Sequence, residues 1–142
     1  MIIVNHILKT KGHDVWTIGP DNTVFDAVSL MAEKKVGALV VVNKGHPVGM
    51  ISETDYTRKV IVFQLSSKET QVKEIMTSNI MYTEPEQNIE ECMALMTEKR
   101  IRHLPVWDGK ELHGIISIGD LVKAIINDQR FIIEQLEKYI SG

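Results

Sequence analysis

Residues Pro20–Tyr56 align without a gap on Pro85–Leu121, at a constant offset of 65, and this duplication constrains the fold more than any other feature. Eleven of the 37 aligned positions are identical: Pro20/Pro85, Leu30/Leu95, Met31/Met96, Glu33/Glu98, Lys34/Lys99, Leu39/Leu104, Val41/Val106, Gly49/Gly114, Ile51/Ile116, Ser52/Ser117 and Asp55/Asp120. Others are conservative, such as Val24/Ile89, Asp26/Glu91, Val36/Ile101 and Met50/Ile115. A repeated stretch of this size is one supersecondary unit used twice, each copy burying what the other leaves open.

Both copies read alike. A proline ends an extended segment, Val15–Ile18 in one and Ile80–Thr83 in the other. Thr23 with Asp26, and Asn88 with Glu91, have N-cap and N3 spacing, so a helix starts at each. The apolar stripes Val24, Ala27, Val28, Met31 and Ile89, Cys92, Met93, Met96 have helical period. Lys34-Lys35 and Lys99-Arg100 close these helices, where positive charge suits the dipole. Two strands follow in each copy. Leu39–Val42 and Val48–Ser52 flank a turn at Asn43–His46, and Leu104–Trp107 and Leu112–Ser117 flank one at Asp108–Lys110. A second helix is expected over Tyr56–Leu65 and, longer, over Leu121–Ile140.

The expected fold class is therefore α+β, with mixed α/β repeats. Two β-α-β-β-α units would pack sheet to sheet with pseudo-two-fold symmetry. Residues 1–65 form the first repeat, the polar stretch 66–71 a linker, and 72–142 the second repeat with its long C-terminal helix. Val72–Thr77 leads into the second copy as Val4–Thr10 leads into the first.

Composition narrows the function classes. Sixteen Lys and Arg against 19 Asp and Glu give a net charge of −3, which argues against a protein that coats nucleic acid or adheres to anionic membrane by charge. Cys92 is the single cysteine, so neither an internal disulfide nor a cysteine zinc cluster is available. It lies on a helix stripe and is read as core. His6, His13, His46, His103 and His113 show no paired metal-ligand spacing. No signal peptide or membrane-length apolar run is read, and a cytoplasmic protein is expected. No nucleophile–base pair, Walker loop or GxGxxG appears, so no catalytic residue and no metal is expected.

The chemistry concentrates in Gly49-Met50-Ile51-Ser52-Glu53-Thr54-Asp55 and its copy Gly114-Ile115-Ile116-Ser117-Ile118-Gly119-Asp120. Both read G-h-h-S-x-x-D where a strand passes into a helix. A carboxylate there offers two acceptor oxygens to the cis-diol of a ribose, and free helix N–H groups favour a nearby anion. The same spacing is also a capping box with nothing bound. Arg58 and Lys123, one turn after the two aspartates, are candidate phosphate partners or parts of a solvated face. Trp16 and Trp107 could stack on a base or pack at the strand ends.

With Arg102-His103-Leu104-Pro105-Val106 and Ile75-Met76-Thr77, the paired motif resembles a tandem pair of CBS domains, a Bateman module. Ser52–Val60 is similar to small stand-alone CBS proteins of bacteria and archaea. The resemblance implies a regulatory, energy-sensing module rather than an enzyme. Its ligand would be an adenosyl nucleotide, AMP first, then ATP, ADP or NAD, or S-adenosylmethionine, with no obligatory cofactor. It implies clefts between the repeats. One would use Ser117 and Asp120 with Thr17, Val36, Gly37 and Ala38; the other would use Ser52 and Asp55 with Thr83, Ile101, Arg102 and His103, and with Arg58 near phosphate. It also implies a homodimer formed through helices, and a separate regulated protein. Thr54 stands where many relatives carry a phosphate-binding arginine, and Gly119 brings no side chain, which weighs against polyphosphates. The alternative is a ligand-free dimerisation or protein-interaction module with vestigial clefts.

Overall fold

The chain folds as two units, one continuous and one assembled from distant segments: Asp14–Met81, and the leading segment through His13 together with the segment from Tyr82 onward. The structure, a computed structural model, describes residues 2–141, so the outermost residues of the two expected repeats, Met1 and Gly142, lie outside the described residues.

In the continuous unit, β1 (Thr17–Ile18) runs parallel to β2 (Ala38–Asn43), which pairs antiparallel with β3 (His46–Ser52). The β2–β3 hairpin turns on Lys44 and Gly45, both at positive φ (51° and 81°), the handedness that suits the twist of a two-residue loop. Helix α2 (Val24–Lys34) starts where expected. Thr23 Oγ1 accepts from the Asp26 amide at 3.1 Å, and the Asp26 carboxylate accepts from the Thr23 amide at 3.1 Å. These bonds to Thr23 hold the Asp26 carboxyl below its ordinary pKa. The helix ends on Lys35 in the left-handed region, φ 57°. Val24, Ala27 and Met31 of the expected stripe are buried against Leu39, Val41, Ile51, Val60, Val72 and Ile75.

The helix expected over Tyr56–Leu65 departs from the reading. A turn, α3 (Glu53–Asp55), passes into π-helical winding over Tyr56–Ile61 and stops, with Gln64 at φ 56°. The β-branched run Val60-Ile61-Val62 crowds an α-helix, and the wider winding relieves it. The expected linker is not loose. Carbonyls of Thr70 and Ser67 accept from the Val24 and Phe25 amides at 2.8 and 2.9 Å, so they satisfy donors left open at the start of α2.

Helix α4 (Val72–Ile75) then packs on the first copy: its Val72 and Lys73 amides donate to the Asn22 and Pro20 carbonyls at 2.8 and 3.0 Å. Helix α1 (Val4–Lys11) makes the same contacts on the second copy. Its Val4 and Asn5 amides donate to the Gln87 and Pro85 carbonyls at 2.9 and 2.8 Å. The lead-in helices are thus exchanged relative to the sequence repeats: residues 72–81 fold with the first copy and residues up to His13 with the second.

The second unit adds α5 (Ile89–Lys99), the hairpin β4 (His103–Trp107) and β5 (Leu112–Ser117), and the 24-residue α6 (Ile118–Ser141). Its core is Val4, Ile7, Leu8, Ile89, Cys92, Met96, Leu104, Val106, Ile116 and Leu121. The expected strand Ile80–Thr83 shrinks to one bridge, Thr83 beside Val106. The cause is Pro105. Its counterpart Val40 donates its amide to the Trp16 carbonyl at 3.3 Å, and proline has no such donor.

Candidate functional site

The Ser-x-x-Asp turns have the same construction in both units. Each strand's last residue, Ser52 or Ser117, faces the first residue of the neighbouring strand, Ala38 or His103. The next amide, Glu53 or Ile118, donates to the Gly37 or Arg102 carbonyl at 3.0 and 2.9 Å. Val36, Gly37 and Ala38 therefore sit with Ser52 and Asp55 in one unit. Ile101, Arg102 and His103 sit with Ser117 and Asp120 in the other. These are the neighbours within each unit.

Both turns close as capping boxes. Asp55 Oδ2 accepts from the Ser52 amide at 3.0 Å and from the Ser52 hydroxyl at 3.1 Å, while Ser52 Oγ accepts from the Asp55 amide at 3.2 Å. Asp120 Oδ2 accepts from the Ser117 amide at 2.8 Å, and Ser117 Oγ accepts from the Asp120 amide at 3.1 Å. Oδ2 of each aspartate caps its own helix, the arrangement the Ser-x-x-Asp spacing also allowed.

Each aspartate also meets a lysine. Lys59 Nζ lies 3.4 Å from Asp55 Oδ1 and donates to the Ile75 carbonyl at 2.7 Å. Lys11 Nζ donates to Asp120 Oδ2 at 2.7 Å and to the Ile115 carbonyl at 2.8 Å. Burial would raise the Asp120 pKa, but the bonds from Lys11 and Ser117 outweigh it and hold the carboxyl below its ordinary value. Both side chains remain partly accessible, 14% for Asp55 and 23% for Asp120, so neither is sealed from a ligand.

The other expected residues fall variously. Thr17 is exposed on β1, and the exposed Tyr82 takes its place in the second copy. Thr83 instead matches Ile18: it is 5% exposed, and its hydroxyl pairs inward with Cys92 Sγ at 3.3 Å. Thr83 therefore turns its hydroxyl into the core. Cys92 is core, as expected, with its thiol pKa pushed up by burial. Arg58 is exposed on the π-helical segment, Arg102 beside its turn, and Lys123 on α6. Trp16 lies under Lys34, whose Nζ is 4.4 Å from the ring centroid. A cavity of about 380 Å³ opens between Tyr82–Glu84, Gln87 and the Glu91, Cys92 and Leu95 positions of α5, and neither aspartate lines it.

Sequence reasoning missed both lysines. Lys59 is readable, since it stands four residues after Asp55 on a helical stretch. Lys11 is 109 residues from Asp120 and has no spacing signal. Among the described residues no group of three or more His, Cys, Asp or Glu gathers as a metal site, and no helix is long and apolar enough to cross a membrane.

The chain matches the CBS domain family over residues 6–61 and 72–127. It is 41% identical, over 98% of its length and 72% of the relative's, to the mitochondrial CBS domain-containing protein CBSX3 of Arabidopsis thaliana. A solved structure of a protein with CBS domains from Burkholderia ambifaria is 52% identical, covers 90% of this chain and 96% of that one, and superposes with a TM-score of 0.85. The CBS domain pair of protein MJ0100, solved with 5′-methylthioadenosine and S-adenosyl-L-methionine, shares the fold at 20% identity over 90% of this chain and 98% of that one, with a TM-score of 0.80. CBS proteins are in general non-catalytic regulatory modules. The duplicated strand–turn–helix built on Ser52/Asp55 and Ser117/Asp120, and the match of both halves, place this chain in the CBS domain family as a tandem pair, a Bateman module.

Proposed function

We propose that the chain is a regulatory module that binds an adenosine-containing ligand, AMP before ADP, ATP, NAD or S-adenosylmethionine, and passes its occupancy to a partner protein. One observation carries this reading: the same turn occurs twice, each time with a partly accessible aspartate. Beside it runs the backbone of residues 36–38 or 101–103, the second segment carrying Arg102 and His103. A ribose hydroxyl matches the acceptor, and Arg102 supplies a charge suited to a phosphate. The adenosyl ligands bound by the MJ0100 pair are of this chemical class. Occupancy regulates a partner only through a difference in affinity between two arrangements of the module.

The test is a thermal-shift screen with AMP, ADP, ATP, NAD and S-adenosylmethionine, repeated with D55N and D120N. A ligand at about 100 times its Kd adds about 2.7 kcal/mol of stability. A shift lost in the double variant supports the reading; no shift from any nucleotide refutes it.

A second reading, a dimerisation or interaction module, has its own support in α6. Ile126, Ile133 and Ile140 recur every seven residues beside Ile125, Ile132 and Leu136, and the terminal members are 43–83% exposed. That period suits a second helix laid alongside, and the proposed occupant is α6 of a second copy. The two readings are compatible in a ligand-binding homodimer.

A further inference from the structure

We propose that Lys11 sets an inequality between the two turns: its ammonium competes with a ribose cis-diol for Asp120, so ligand fills the Asp55 turn first. The inference rests on the adenosine-ligand reading above and concerns the regulation of that same site.

Two vicinal hydroxyls are held most firmly when each donates to a different oxygen of one carboxylate. Oδ2 carries the capping bonds in both turns, so the comparison lies in what Oδ2 must release. At Asp55 its two donors are the Ser52 amide and the Ser52 hydroxyl. The hydroxyl swings aside by rotation about one bond, and the nearest cation, Lys59, stands 3.4 Å away at Oδ1 with its own hydrogen bond to the Ile75 carbonyl at 2.7 Å. At Asp120 the two donors are the Ser117 amide, fixed by the backbone, and the Lys11 ammonium. The movable donor there is a cation at 2.7 Å. Displacing it breaks a charge-assisted bond, among the stronger hydrogen bonds a protein makes.

Comparison of the two copies shows why a lysine is there. Ile115 corresponds to Met50 at the offset of 65. In the first copy, α4 ends after one turn and the chain pairs with β3, the Thr77 amide donating to the Met50 carbonyl at 2.9 Å. In the second, α1 stays helical for eight residues, to Lys11. The Ile115 carbonyl accepts from Lys11 Nζ instead, and the same ammonium reaches on to Asp120. Just beyond, His13 Nδ1 lies 2.9 Å from the His113 carbonyl, a second tie that keeps this end of α1 against β5. Lys11 thus stands in for a backbone donor and covers the aspartate as well.

The test is calorimetric titration with adenosine, which carries the diol and no phosphate. The D55N variant reports the Asp120 turn and D120N the Asp55 turn. Binding is expected to be weaker in D55N than in D120N. Adding K11M to D55N tightens it about tenfold; K11R in place of K11M leaves it weak, because the cation is retained. Adding K11M to D120N leaves the Kd unmoved. Adenosine binding that is unchanged or weakened by K11M in the D55N background overturns the inference while leaving the ligand reading intact. No adenosine binding in any form, wild type included, removes the ligand reading and this inference with it.

Discussion

The first glycine of each G-h-h-S-x-x-D motif can be tested by adding one methyl group at two equivalent positions. A Cβ on Gly49 would meet Met76 Sδ at 2.6 Å, the Thr77 carbonyl oxygen at 2.8 Å and Met76 Cγ at 3.1 Å. A Cβ on Gly114 would meet one methyl, Leu8 Cδ2, at 2.8 Å, with the next atoms at 3.6 and 3.8 Å. A leucine methyl moves by rotation. The Thr77 carbonyl does not: it accepts from the Met50 amide at 3.0 Å, and the Thr77 amide donates back at 2.9 Å. Restoring ordinary contact at Gly49 therefore strains or breaks a two-bond bridge, each bond contributing about 1 kcal/mol net. Overpacking adds about 1–3 kcal/mol. G49A should cost about 3 kcal/mol and G114A about 1 kcal/mol. At about 3–4 °C per kcal/mol for a chain of this size, thermal melts should fall by about 10 °C and about 3 °C. M76A should not rescue G49A, because the carbonyl remains. Equal losses for the two alanines, or full rescue by M76A, would refute the argument from backbone against side-chain obstruction.

Lys35 and Arg100 end α2 and α5 in the left-handed region, φ 57° and 55°, so K35G and R100G should each raise the urea midpoint by about 0.5–1 kcal/mol of stability; a lowered midpoint contradicts this. The Asp120 carboxyl is held below its ordinary pKa, so its contribution is present above the unfolded carboxylate value and is lost as pH falls through the folded one. D120N should therefore be less stable than wild type near neutrality and lose less on acidification; parallel curves between pH 2 and 6 would contradict it. Replacing Ile133 and Ile140 by lysine should give a folded monomer by sedimentation, whereas a persistent dimer would show that α6 does not carry the pairing.

Most of the hairpins and both long central helices were legible because their signals are local. Caps at Thr23 and Asn88, stripes of period 3.6, and alternating strands beside Lys44-Gly45 are each complete within a dozen residues. What escaped depends on distant partners or on a missing atom. The strand ending at Thr83 fails because Pro105, over 20 residues on, lacks an N–H. The apolar spacing of Val4–Leu8 and Val72–Ile75 marks lead-in segments but does not say which copy they cover. The Ser-x-x-Asp spacing was open between a diol site and a capping box. The structure builds the box at Oδ2 in both copies.

The interleaving of the two units also bears on how the protein is made. Asp14–Met81 is one uninterrupted stretch and can close its core while the rest is still being synthesised. Helix α1 leaves the ribosome earlier, yet the surfaces that bury Val4, Ile7 and Leu8 come from residues after Tyr82. At about 5–20 residues per second it waits on the order of ten seconds with its apolar face uncovered. The unit that holds Lys11 against Asp120 is thus the last to form, and a stalled or truncated nascent chain would carry one finished half and one exposed, adhesive helix.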